Sequence, residues 1–144
     1  MEILGELGFA AALCFAAIGS ALGAGGAGMA AVGAWKKCFA QNKKAPFMLV
    51  AFVGAPLTQT IYGFILMGQI QAAPSSVSLM AKFGVGLLGG IAMGFSAWFQ
   101  GKAGAAASDA LAETGKGFGN YLIVLGLIET VALFVMVFLM GTLS

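Results

Sequence analysis

Tyr121–Met140, YLIVLGLIETVALFVMVFLM, is a run of twenty residues in which Glu129 is the single charge. At 1.5 Å per residue, a helix of this length crosses the roughly 30 Å hydrocarbon core of a bilayer. The spacing therefore predicts a membrane helix with a carboxylate near its middle. A charge at that depth costs about 2.5–3.5 kcal/mol on insertion scales, so Glu129 needs a partner, a proton or a bound cation. A neutral, protonated Glu in an ordinary interhelical hydrogen bond is the blander account, but acids inside membranes usually carry function.

The composition around this stretch excludes a soluble domain. Hydrophobic residues make up 60% of the 144 and charged residues 8%, against about 25% charged in ordinary soluble proteins. There is no His and no Arg, and all seven basic residues are Lys. A net charge of +2, scattered along the chain, excludes a nucleic-acid partner. No cluster of His, Cys, Asp or Glu offers a transition-metal site, and no Gly-rich loop leading to Lys-Ser or Lys-Thr cradles a nucleotide. The chain is thus not an enzyme on its own; any ATP chemistry is done elsewhere, and no cofactor is expected beyond a transported ion. Cys14 and Cys38 form neither a disulfide framework nor a metal site. The apolar Gly8–Ala24 stretch follows Glu2 and Glu6 without any Lys or Arg, which predicts a retained membrane helix rather than a signal peptide.

Four apolar segments are each long enough to span. They run from about 4 to 34, 47 to 69, 77 to 112 and 117 to 143, with connections at Trp35–Pro46, Ile70–Ser76 and Thr114–Gly119. Lys36, Lys37, Lys43 and Lys44 lie in the first connection and Lys116 in the third, whereas the second has none. The positive-inside rule then places connections one and three in the cytoplasm and both termini outside, in a multi-pass protein of the plasma membrane. Lys82 dissents, as a single snorkelling residue near a helix end.

The chain also repeats itself. A shift of 76 lays Ser20-Ala21 on Ser96-Ala97, Gly25 on Gly101 and Ala27-Gly28 on Ala103-Gly104. A shift of 70 lays Gln59 on Glu129, Thr60 on Thr130 and Phe64 on Phe134. The fold class expected is all-α: two helical hairpins, residues 1–72 and 73–144, duplicated in parallel because each holds an even number of spans. Gly19 and Gly23 on the first helix, with Gly86, Gly90 and Gly94 on the third, carry the small-residue spacing that lets helices approach closely in lipid. These five are expected to pack a crowded inner wall, such as that of a ring. Helices two and four carry Phe47, Phe52, Tyr62, Phe64, Phe134 and Phe138, which suits an outer, lipid-facing wall.

Hairpin geometry then assembles a site. With the second turn centred near Thr114–Gly115, Gln100 and Glu129 lie at nearly one depth. In GAPLTQTIYGF, residues 54–64, Thr58, Gln59 and Tyr62 share one side of a helix. Pro56 releases nearby backbone oxygens from helical pairing. Glu129, Gln100, Gln59, Thr58 and a carbonyl near Ala55 make an all-oxygen set suited to a hard cation. A single carboxylate balances a monovalent ion, and Tyr62 is placed to hydrogen-bond Glu129. Taken singly, Thr58, Gln59 and Gln100 would read as interhelical hydrogen bonds; their convergence on one level favours a site.

At APLTQTIYGF, FSAWFQGK and LIET the chain resembles the K subunit (the proteolipid of the rotor) of V-type rotary ATPases, of the bacterial sodium-pumping kind. The resemblance extends over nearly the whole chain. It implies a rotor ring (c-ring) of identical copies, with Na+ held at Glu129, Gln100, Gln59, Thr58 and the Ala55 backbone carbonyl. It also implies a stator subunit of the a/I type bearing an Arg, and a central-stalk subunit on the cytoplasmic loops. The side chain at Ala55 departs from the family pattern, which matters little for a carbonyl ligand. The carboxylate between Ile128 and Thr130 is common to all such proteolipids, so a ring carrying H+ on Glu129 is the alternative. A small four-helix cation-coupled exporter is remoter, since those place their acid in the first helix and lack the duplication.

Overall fold

Helices in this chain begin where the apolar segments do but do not all stop where apolarity stops. The structure, a computed structural model, describes residues 2–144; Met1, the first residue of the expected first hairpin, lies outside the described residues. Five helices follow in order: α1 (Glu2–Ala40), α2 (Leu49–Gly54), α3 (Thr58–Ala72), α4 (Leu79–Thr114) and α5 (Phe118–Met140). A 3-10 turn at Ala55–Leu57 joins α2 to α3, so the two form one span, and a second closes the chain at Gly141–Leu143. Four spans long and apolar enough to cross a membrane result, and no strand occurs among the described residues.

The first span continues past the expected end at Ala34. Trp35, both lysines, Cys38 and Phe39 lie on α1, and the connection shrinks to the segment from Gln41 to Met48. The reason is that loss of apolarity removes a membrane signal without removing helix propensity, and Lys is a good helix former. Asn42 then takes a left-handed φ of 51°, which asparagine tolerates, and Lys43 N–H donates to Cys38 O at 2.9 Å. Trp35 Nε1–H donates to Pro46 O at 2.7 Å and ties the loop back.

The other boundaries have local causes. Ala73 is extended, as the residue before Pro74 tends to be, and it ends α3. Ser78 caps α4 by accepting Ala81 N–H at 3.2 Å, so the second connection is shifted towards Ser78. Lys82 Nζ donates to Ala73 O at 2.7 Å, which places it at the end of α3. Thr114 ends α4 through Gly115, whose φ of 67° follows from the absence of a Cβ.

α1 and α4 run in the same direction and meet backbone to backbone. A Cβ on Gly19 would overlap the Gly94 backbone, one on Gly86 the Gly8 carbonyl, and one on Gly101 the Gly23 backbone. The glycines expected to pack a wall of neighbouring copies are therefore buried against the chain's own helix. α3 reaches α1 at Gly63, where a Cβ would stand 2.7 Å from Ala12 O. Phe52 also corrects an expectation: it is fully buried, with its ring 5.4 Å from that of Phe118, while Phe47, Phe64, Phe134 and Phe138 do face outward.

Two apolar clusters fill the interior. One includes Ala12, Ala16, Leu66 and Met93, and the other Ala31, Leu49, Phe52 and Leu125. Between their levels lies a polar layer of Ser20, Gln59, Ser96 and Gln100, all buried. The fold positions that layer at the midpoint of α5.

Candidate ion site

Glu129 stands eleven residues from either end of α5. Helix α5 carries no other charge, so the carboxylate must find its partners on other helices. Tyr62, on α3, donates its hydroxyl to Glu129 Oε1 at 2.8 Å. Gln100, on α4, donates Nε2–H to Glu129 Oε2 at 3.1 Å and its other N–H to Leu125 O at 3.0 Å. Gln59 does not touch Glu129 directly; its Nε2 donates to Gln100 Oε1 at 2.8 Å and to Ser96 Oγ at 3.4 Å. Both glutamines are fully buried, while Glu129 and Tyr62 are half-buried.

The remaining expected ligands gather on the far side of Gln59. Pro56 has no N–H to extend α2, and the chain tightens into the 3-10 turn, where Thr58 N–H reaches back to Ala55 O. That turn sets Thr58 Oγ1 3.1 Å from Ala55 O and 3.2 Å from Gln59 Oε1. The close approach of Pro56 to α1 depends on Gly23, where a Cβ would lie 2.9 Å from the proline Cβ.

Chemically, the Thr58 hydroxyl has one proton for two oxygen neighbours. Three oxygens from Ala55, Thr58 and Gln59 thus share a single hydrogen, a surplus of lone pairs that a hard cation relieves. With Glu129 and the oxygens of Gln100, the donor set is all oxygen and carries one negative charge. The depth match inferred for Gln100 and Glu129 is seen directly in their contact. Thr58, Gln59, Gln100, Tyr62 and Glu129 are joined in one hydrogen-bonded chain, with Ala55 O at its end.

Two residues escaped the sequence reading. Ser96 donates its hydroxyl proton to Ile128 O at 2.8 Å while accepting from Gln59, so it belongs to the network. The signal available was its spacing of four from Gln100, which puts both on one face of α4. Lys102, two residues beyond Gln100 and hence on the opposite side of α4, lies nearly level with Glu129. Its ammonium sits 4.3 Å from the Trp98 ring centroid and 5.0 Å from that of Phe99, an attraction worth about 0.5–2 kcal/mol for a cation at such depth.

Residues 83–140, which hold Ser96, Gln100 and Glu129, match the family model for the C-type subunit of ATP synthase. The chain is also 35% identical over 132 residues to the A-type ATP synthase subunit K of Methanocaldococcus jannaschii. That alignment covers 92% of this chain and 58% of the archaeal protein, so the chain spans little more than half the length of the relative it matches.

Proposed function

We propose, from the premise that this chain belongs to the family of c-like K subunits of V/A-type rotary ATPases, that it carries a monovalent cation, Na+, across the membrane on Glu129. In this reading identical copies close into a rotor ring. The chain binds no nucleotide itself, and ion movement is coupled to ATP turnover elsewhere in the complex. The stator subunit with its Arg, the central stalk on the cytoplasmic connections and the plasma-membrane topology complete the proposal.

The observation that carries it is the placement of one carboxylate at mid-span beside the proton-poor oxygens of Ala55, Thr58 and Gln59. One negative charge plus neutral oxygens becomes electrically silent on binding one monovalent cation. A filled site can then turn through lipid, whereas an uncompensated Glu129 costs several kcal/mol there. Release is confined to the position beside the stator's fixed cation, which makes rotation and transport one event. Against a potential of 100 mV each charge costs about 2.3 kcal/mol to move, so several ions per ATP are feasible.

A second reading has a specific observation behind it. The Tyr62 hydroxyl, 2.8 Å from Glu129 Oε1, is able to accept as well as donate, so a protonated Glu129 also finds a partner. Labelling of Glu129 by a carbodiimide at fixed pH separates the two. Protection by millimolar sodium but not by potassium is the expected result; labelling that follows pH and ignores sodium assigns the ring to protons.

A further inference from the structure

We propose that Ser96 is a positioning residue that fixes which end of the Gln59 amide faces the ion site, and so sets the preference of that site for a metal cation over a proton. The inference rests on the sodium reading above. Gln59 has two chemically opposite ends within one shape. Its oxygen attracts a cation and its NH2 group repels one. At full burial no water compensates an amide turned the wrong way, so its orientation must be dictated by neighbours.

Backbone carbonyls of α5 dictate it, because a carbonyl can only accept. Leu125 O takes a Gln100 N–H, which turns Gln100 Oε1 towards Gln59. Ile128 O takes the Ser96 proton, which leaves Ser96 only lone pairs to offer Gln59. Two acceptors thus stand on the α4 side of Gln59 and draw its NH2 group towards them. Its oxygen is left facing Thr58 and Ala55 O, where the cation ligands are. Without the Ser96 hydroxyl one of the two restraints is gone. The flipped amide then finds acceptors in Ala55 O and Thr58 Oγ1 and presents N–H to the cation. The contacts of Tyr62 and Gln100 with Glu129 do not involve Ser96, so proton binding has no reason to change.

Ser20 supplies the matched control. It is the counterpart of Ser96 under the repeat, equally buried, yet its Oγ has no hydrogen-bond partner. The test uses the assembled complex in native membranes and titrates carbodiimide labelling of Glu129 with sodium chloride, balanced by potassium chloride. A parallel pH titration is run without sodium. Ser96→Ala should raise the sodium concentration for half-protection roughly three- to tenfold, the worth of one net hydrogen bond, with the pH midpoint unchanged. Ser96→Thr, which keeps the hydroxyl, and Ser20→Ala should both titrate like the parent. Should Ser96→Ala not assemble, Ser96→Cys keeps the volume with a poor acceptor and should show the same selective shift. A sodium midpoint within twofold of the parent overturns the role of Ser96, as does an equal shift of both midpoints or failure of Ser96→Thr to restore it. A parent complex that sodium does not protect overturns the sodium reading and this inference with it.

Discussion

Glu129 receives a donor on each of its two oxygens, and the two donors differ in what they allow. Gln100 Nε2 can only donate, whereas Tyr62 is able to reverse. Removing the Tyr62 hydroxyl leaves the carboxylate half-held and its free oxygen exposed to the membrane phase. A hydrogen bond to a charged group contributes about 1.5–3 kcal/mol, so Tyr62→Phe is expected to weaken sodium binding roughly ten- to a hundredfold. Radioactive sodium binding to the variant complex measures it, and an unchanged affinity would show that Tyr62 only fills space. Most of this site was legible in the sequence because polar residues are costly and therefore sparse in such a chain. Glu129, Gln100 and Gln59 stand out from apolar surroundings, and turn counting sets their depths. Ser96 was not legible for the opposite reason. A serine among alanines and glycines costs little, and nothing in its spacing reveals that Ile128 O takes its proton. The side of the Gln59 amide that meets Gln100 was equally hidden, since amide polarity is decided by acceptors on another helix.

Among the elements, the α1–α4 seam is held by close backbone approach. At Gly19 an added Cβ has no room beside Gly94, and the obstacle is backbone rather than a flexible side chain. At Gly26, about two turns along the same helix, a Cβ meets nothing within 4 Å. Gly19→Ala is therefore expected to destabilise the chain by about 1–3 kcal/mol or more through overpacking. Gly26→Ala should be neutral or stabilising by up to about 1 kcal/mol, because alanine is the better helix former. Thermal unfolding in mild detergent should show opposite shifts for the two, and equal shifts would mean that the seam is looser than the backbone contacts indicate. Small-residue spacing thus correctly marked two helices that approach closely. It was silent on the partner, because the same spacing serves a neighbour in the chain and a neighbour in a ring. Helix ends were legible where stereochemistry marks them, at Pro74, Ser78 and Gly115, and were missed at Lys36–Ala40, where only polarity changes.

For the molecule as a whole, duplication has produced one site rather than two. Gln59 and Glu129 occupy equivalent places in the two hairpins, and they meet through the single bridge of Gln100. The first hairpin has no counterpart of that bridge, since Ala24 stands at the matching depth. A ring of n such chains therefore holds n ions on 4n helices, and restoring a carboxylate to the first hairpin would not add a site. Gln59→Glu is expected to place a second acid on the same cation position, where like charges disfavour full ionisation and a proton is retained. Native mass spectrometry after exhaustive carbodiimide treatment should then still find one label per chain, because modification of either acid blocks the shared space, and sodium should no longer protect. Two labels per chain, each protected by sodium, would show that the hairpins carry independent sites and that the bridge through Gln100 does not join them.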